Sequence, residues 1–195
     1  GGNRLTDLSI TPEFFHGSAP ASFVKRARLI DNGLRFNEAI RPNFEDGEFC
    51  CRYMLASAPL VGFLSNARYI YRKRADQSST LNNSTMDPRR YLVVPRIGYL
   101  AILKDAAEAN NGVAPAWLQN MILYELSHYF KAEDSAGNAT AARGEMADEF
   151  HATMAELVPY LEKTQISDFT ISLFRGMWRQ CLLHAWSDEP WHMEY

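Results

Sequence analysis

The apolar residues of this chain change their period near residue 84, and that change restricts the folds open to it more than any other feature. Beyond it the spacing is helical. From Pro88 to about Asn110, the residues Tyr91, Val94, Tyr99, Ile102 and Leu103 recur at helical intervals, with Pro95 placed to break or kink the first turns because proline brings no N–H to the helix ladder. Pro115 stands where a first helical residue is favoured, and Trp117, Leu118, Met121, Ile122, Leu126 and Tyr129 give the helix after it a wide apolar stripe. A polar, small-residue connection at 134–142 leads to a third helix marked by Met146, Phe150, Met154, Leu157, Val158 and Leu161. Leu173 to Trp186 predicts a fourth, whose broad apolar surface requires packing against neighbours.

Before residue 84 the segments are shorter and separated by turn residues. Ala21 to Lys25 predicts a strand, and Arg26 to Asn32 a brief helix that Gly33 ends. An irregular connection then reaches a helix from about Glu45 to about Ala56, where Phe49 with Tyr53 and Cys50 with Met54 lie four apart and carboxylates crowd the first turn. Val61 to Leu64 and Ala67 to Lys73 predict two strands interrupted hairpin-fashion at Ser65-Asn66. The fold class is α+β: a mixed α/β unit over 1–83 followed by an all-helical extension over 84–195.

Charge divides at the same place. Residues 1–83 carry 11 basic and 8 acidic side chains, and residues 84–195 carry 9 and 15, so the two parts are suited to different roles. The whole chain is net −3, which gives no bulk electrostatic basis for nucleic-acid binding. No apolar run approaches the roughly 20 residues that span a bilayer, and the first residues lack a signal-peptide layout. Cys50, Cys51 and Cys181 form neither a disulfide framework nor a CxxC zinc pattern, which fits a reducing compartment.

Two segments hold the residue types that chemistry needs. In Arg41-Pro42-Asn43-Phe44-Glu45-Asp46-Gly47-Glu48, consecutive carboxylates at the junction of a proline loop and a helix can face a cleft, where one could take a proton from a hydroxyl. The alternative is that Glu45, Asp46 and Glu48 only complement the helix dipole. In Arg68-Tyr69-Ile70-Tyr71-Arg72-Lys73-Arg74, strand alternation sets Arg68, Arg72 and Arg74 on one face, and the serine-rich loop beyond adds hydroxyl donors, an arrangement that attracts phosphate. The alternative there is a solvated, charge-protected edge strand. His128, His151 and His184 fall on helices without a partner at metal-ligand spacing, and Trp117, Trp178 and Trp186 are placed as core anchors.

The motifs Phe23-Val24-Lys25-Arg26, Gly33-Leu34-Arg35-Phe36-Asn37-Glu38, Phe44-Glu45-Asp46 and Tyr69-Ile70-Tyr71-Arg72-Lys73-Arg74 through Ser78-Ser79 occur in an order that resembles the acceptor-side half of bacterial family 2 glycosyltransferases. Trp117-Leu118-Gln119-Asn120, Leu123-Tyr124-Glu125-Leu126 and Asp188-Glu189-Pro190-Trp191-His192 are similar to the segment that follows it in actinobacterial-type wall-polymer transferases, some of which continue into a glycerophosphotransferase domain.

This resemblance implies a GT-A fold and inverting transfer from a nucleotide-sugar donor to a glycan or wall-polymer acceptor such as a teichoic acid. It casts Asp46 as general base with Glu45 beside it. Arg72, Lys73, Arg74 and Ser78 fall to the donor diphosphate, and His16 to the acceptor side. The family's nucleotide-binding half and its Asp-x-Asp motif are not in this sequence, so a divalent metal, Mg or Mn, is expected on residues of that half. The chain is expected to be a fragment, inactive alone, of a cytoplasmic enzyme peripheral to the inner face of the membrane. The competing expectation is a non-catalytic interaction module that forms a homo-oligomer through its helical part.

Overall fold

The computed structural model describes residues 2–70, 84–133 and 142–186. The fold is α+β, with a small two-stranded sheet and a helical extension. Strand β1 (Arg4–Asp7) pairs antiparallel with β2 (Leu60–Phe63), Arg4 opposite Phe63 and Asp7 opposite Leu60. This corrects the expected hairpin: β2 forms, but its partner is the N-terminal segment, and Ala67–Ile70 is not in a strand. Tyr71 to Lys73, the rest of that expected strand, lies outside the described residues. The strand expected at Ala21–Lys25 is also absent. A 3-10 turn covers Ala19–Ala21, Phe23 is 94% exposed, and the Lys25 N–H donates to the Tyr53 hydroxyl at 3.0 Å rather than to a neighbouring strand.

Helices α1 (Arg26–Asp31) and α2 (Glu45–Leu55) lie where periodicity placed them, and Gly33 ends the first with φ 61°. The long helix expected from Pro88 is interrupted but not broken. Helix α3 (Arg89–Leu92) passes into a π-helical stretch over Val94–Leu100 and then into α4 (Ala101–Ala109). Pro95 has no N–H to donate, and a wider turn relieves the crowding its ring creates while the axis continues.

Helix α5 (Ala116–Glu133) begins directly after Pro115, whose carbonyl accepts from the Leu118 and Gln119 N–H groups. It runs through the centre of the molecule with Leu118, Ile122, Leu123 and Leu126 fully buried or nearly so. Helix α6 (Glu145–Leu157) crosses the π-helical stretch, to which Arg96 ties it through Thr153 and Glu156 at 3.0 and 3.2 Å.

A short helix absent from the sequence reading, α7 (Lys163–Asp168), is anchored by Gln119. The Gln119 amide donates to the Ala114 carbonyl (2.7 Å) and the Glu162 carboxylate (3.2 Å), and its oxygen accepts the Glu162 N–H at 2.7 Å. Helix α8 is shorter than expected, Gly176–His184, and of its apolar residues Trp178 and Leu182 are buried while Met177 is exposed. Leu173, outside the helix, is exposed too.

One hydrophobic core takes side chains from both sides of residue 84, from Leu8, Ile40 and Phe49 to Trp117, Met154 and Trp178. The α/β part is thereby held against the middle of α5. Among the described residues no helix is long and apolar enough to cross a membrane.

Candidate functional site

The start of α2 is set by an unusual backbone. Phe44, the residue before its first turn, has φ 77° and ψ −3°, a left-handed conformation that a side chain with a Cβ adopts at a cost of about 1–2 kcal/mol. Packing holds it there. The ring meets Tyr99 edge-on at 4.6 Å and lies against Gly47 and Gly98, where any Cβ would come within 2.6 and 3.0 Å of it. With Phe44 locked in place, the chain emerges into α2 with Asp46 in the wall of a cavity that Phe44 and Gly47 also line.

The three acids of this first turn do different things. Glu48 is buried and ion-paired with Arg52, which also reaches Asp105 at 3.0 Å, so this carboxylate knits α2 to α4. Glu45 is half-buried. Asp46 lines a cavity of about 550 Å³, and partial burial together with the neighbouring Glu45 charge raises its proton affinity above the ordinary aspartate value.

The cavity lies between the beginning of α2, the loop at Gly17, the turn at Ser84-Thr85 with the start of α3, and one face of α5. Gly17 is needed for closeness: a Cβ there would sit 2.1 Å from Met121 Cε. From α5 come Tyr124, Glu125, His128, Lys131 and Ala132, a strip one helical face wide. Tyr124 is braced edge-on by Phe15 at 5.9 Å and by the His128 ring at 4.9 Å. Glu125 accepts from the Tyr99 hydroxyl at 3.4 Å, and burial pushes its carboxyl up to about 7.

Arg90, 5% exposed, forms the deep cationic wall. Its guanidinium donates to Ser84 Oγ at 3.0 Å and to the His128 carbonyl at 3.4 Å, and lies 4.5 Å over the Tyr129 ring, whose hydroxyl donates to the Arg90 carbonyl at 2.7 Å. Burial, Arg90 and Lys131 together lower the proton affinity of His128.

Of the residues singled out in the sequence, Asp46 therefore lies in a cavity wall and Glu45 adjoins it. His16 neighbours the wall residue Gly17, with its Nε2 2.9 Å from the Ser18 carbonyl. Arg72, Lys73, Arg74 and Ser78 lie outside the described residues, as do Asp188, Glu189 and His192. Ser84, the first residue described after the basic segment, is in the cavity wall. Sequence reasoning missed Arg90, Glu125, His128 and Lys131. For the three on α5 the signal was a polar strip at 124, 125, 128 and 131, beside the apolar stripe that identified the helix; Arg90, on α3, left no such signal.

Among the described residues no three His, Cys, Asp or Glu side chains gather as a metal site; the divalent metal that the resemblance implies is expected on residues outside this sequence.

Comparison with curated proteins finds 27% identity over 125 residues to the minor teichoic acid biosynthesis protein GgaA of Bacillus subtilis (strain 168). The match covers 64% of this chain and 27% of that protein, so the chain spans about a quarter of the relative's length. No family model matches, and no solved structure matches.

Proposed function

We propose that the chain is the acceptor-side part of an inverting, nucleotide-sugar-dependent glycosyltransferase that modifies or builds a cell-wall polymer. The observation that carries this reading is the placement of Asp46 in the wall of a cavity large enough for a sugar residue, beside an aromatic platform and cationic groups. Similarity to a teichoic acid biosynthesis protein supports the choice of acceptor class.

In this reading the acceptor hydroxyl approaches Asp46, whose carboxylate accepts the proton as the oxygen attacks the anomeric carbon of the donor sugar. The new C–O bond forms on one face, and the bond to the nucleoside diphosphate breaks on the other, the electron pair leaving with the diphosphate. The raised proton affinity of Asp46 makes it a better acceptor of that proton than a solvated aspartate. The Tyr124 ring, held edge-on from two sides, offers an apolar face to the C–H side of a sugar.

Arg72, Lys73, Arg74 and Ser78 serve the departing diphosphate, stabilising charge as it develops. His16 belongs to the acceptor side through the loop that carries Gly17. Donor binding and its divalent metal, Mg or Mn, fall to a nucleotide-binding half encoded elsewhere in the natural protein.

The test is nucleoside diphosphate release by the full-length protein from a panel of nucleotide sugars, with and without isolated wall polymer. Release that depends on the polymer, with the labelled sugar recovered on it at inverted configuration, is the expected result. Absence of transfer from every donor, with the protein folded, would contradict the proposal.

A further inference from the structure

Glu125 is the carboxyl of this cavity that proton transfer at Asp46 does not use, and it lines the same space from α5. One packing contact brings the two acids to that space. A Cβ on Gly47, the residue after Asp46, would come 3.0 Å from Met121 Cε, so the first turn of α2 meets α5 at Met121. Residues four apart share a helix face, which sets Glu125 one turn along from the contact, with Tyr124 beside it. Asp46 and Glu125 therefore face a common cavity from two different elements.

The Glu125 side chain is held from behind. The Tyr99 hydroxyl donates to its Oε2 at 3.4 Å, and Tyr99 is itself fully buried, packed edge-on against Phe44 and Tyr129. Glu125 is only partly buried, because its remaining surface opens on the cavity. Burial pushes the carboxyl up to about 7 against the opposing pull of Tyr99 and Arg90. Near neutral pH it offers both an O–H donor and acceptor oxygens. An alcohol is likewise donor and acceptor at once, so such a carboxyl matches a hydroxyl in either sense. The charge that bears on Asp46 is that of Glu45, and the one that bears on Glu125 is that of Arg90, so the two acids act as separate groups rather than as a pair sharing one proton.

Resting on the transferase reading, we propose that Glu125 is a second acceptor-binding residue: its carboxyl holds a hydroxyl of the acceptor other than the one that reacts, and so orients the reacting hydroxyl toward Asp46. Two hydroxyls gripped from two elements fix an acceptor unit in a cavity of this size, whereas one leaves it free to turn. A unit that lacks the second hydroxyl is thereby disfavoured.

Binding alone tests the inference. The 195-residue chain is titrated calorimetrically with poly(ribitol phosphate), which carries several hydroxyls per unit, and with the same polymer after O-methylation. The wild type should bind the native polymer about tenfold more tightly than the methylated one. Glu125→Ala should weaken binding of the native polymer by about tenfold and narrow the discrimination between the two, while Glu125→Gln, which keeps a donor and an acceptor at the same place, should stay within about threefold of wild type. A purely structural Glu125 would lower the urea midpoint of Glu125→Ala yet leave the Kd of the folded protein unchanged. Three results would overturn the inference: no saturable binding of the native polymer, equal affinity of wild type and Glu125→Ala, or undiminished discrimination against the methylated polymer in Glu125→Ala. No transfer step enters the readout, so a failure of the transferase reading, seen as binding without turnover in the full-length protein, is distinguishable from a failure of this one.

Discussion

The ring of Phe44 occupies the space that a side chain on Gly47 would need: a Cβ at position 47 would lie 2.6 Å from Phe44 Cε2. The left-handed turn that aims Asp46 at the cavity therefore depends on a glycine three residues further on. Gly47→Ala should push the Phe44 ring out of its seat against Tyr99 and cost about 1–3 kcal/mol, as overpacking generally does. Urea unfolding should show a lower midpoint with an unchanged slope, and adding Phe44→Leu should recover part of the loss. An unaltered midpoint in Gly47→Ala would mean that the ring does not hold the turn.

Glu125 should give the protein a pH-dependent stability of recognisable sign. Its folded-state carboxyl titrates at about 7 against an ordinary value of 4.5, so between these pH values the folded protein keeps a proton that the unfolded chain has lost. Stability should accordingly fall as pH rises from about 4.5 to about 7 and level off above, by at most on the order of 3 kcal/mol. Glu125→Gln removes this component. Denaturation at a series of pH values should give a flatter profile for the variant, and parallel profiles would show that the carboxyl is not held neutral.

Gln119 satisfies three backbone and side-chain partners at zero exposure. Gln119→Leu would leave the buried Ala114 carbonyl without this partner and remove the part-buried bond to the Glu162 N–H, a loss of about 1–3 kcal/mol. Amide exchange over Lys163–Asp168 should accelerate more than exchange at the centre of α5. Equal acceleration in both would show that α7 is not anchored through this side chain.

The thiols should be inert in the native state. Burial pushes Cys50 up to about 11 and Cys51 well above the ordinary thiol range, leaving almost no thiolate at neutral pH, while Cys181 is raised less and is partly exposed. A disulfide reagent should modify Cys181 first and slowly, with Cys50 and Cys51 reacting only on unfolding. Rapid modification of all three before denaturant is added would contradict the packing of α2.

Helices α2, α5 and α6 were readable because their apolar residues repeat within a few turns, and a local pattern reports local structure. The pairing of β1 with β2 was not, because Arg4–Asp7 and Leu60–Phe63 come from opposite ends of the first part and nothing within either segment names its partner. Pro95 was correctly seen as a disturbance, but whether a helix ends or widens there depends on the packing of Val94, Tyr99 and Leu100, all buried. Short α7 buries only Ile166 and so left no periodic signal.

At the site, Asp46 stood out because two acids opened a helix. Glu125, His128 and Lys131 resembled an ordinary wet helix face in sequence, and only the approach of Gly17, the α2 turn and Arg90 from α3 makes that face a cavity wall.

The central claim is that Asp46 takes the proton of an acceptor hydroxyl. Asp46→Asn keeps the size and shape of the side chain and removes the base, so in the full-length protein kcat for sugar transfer to wall polymer should fall by about a thousandfold. Acceptor and donor affinities should stay within about twofold, because the interaction lost belongs to the transition state. Transfer at an undiminished rate by the Asp46→Asn protein would contradict the account.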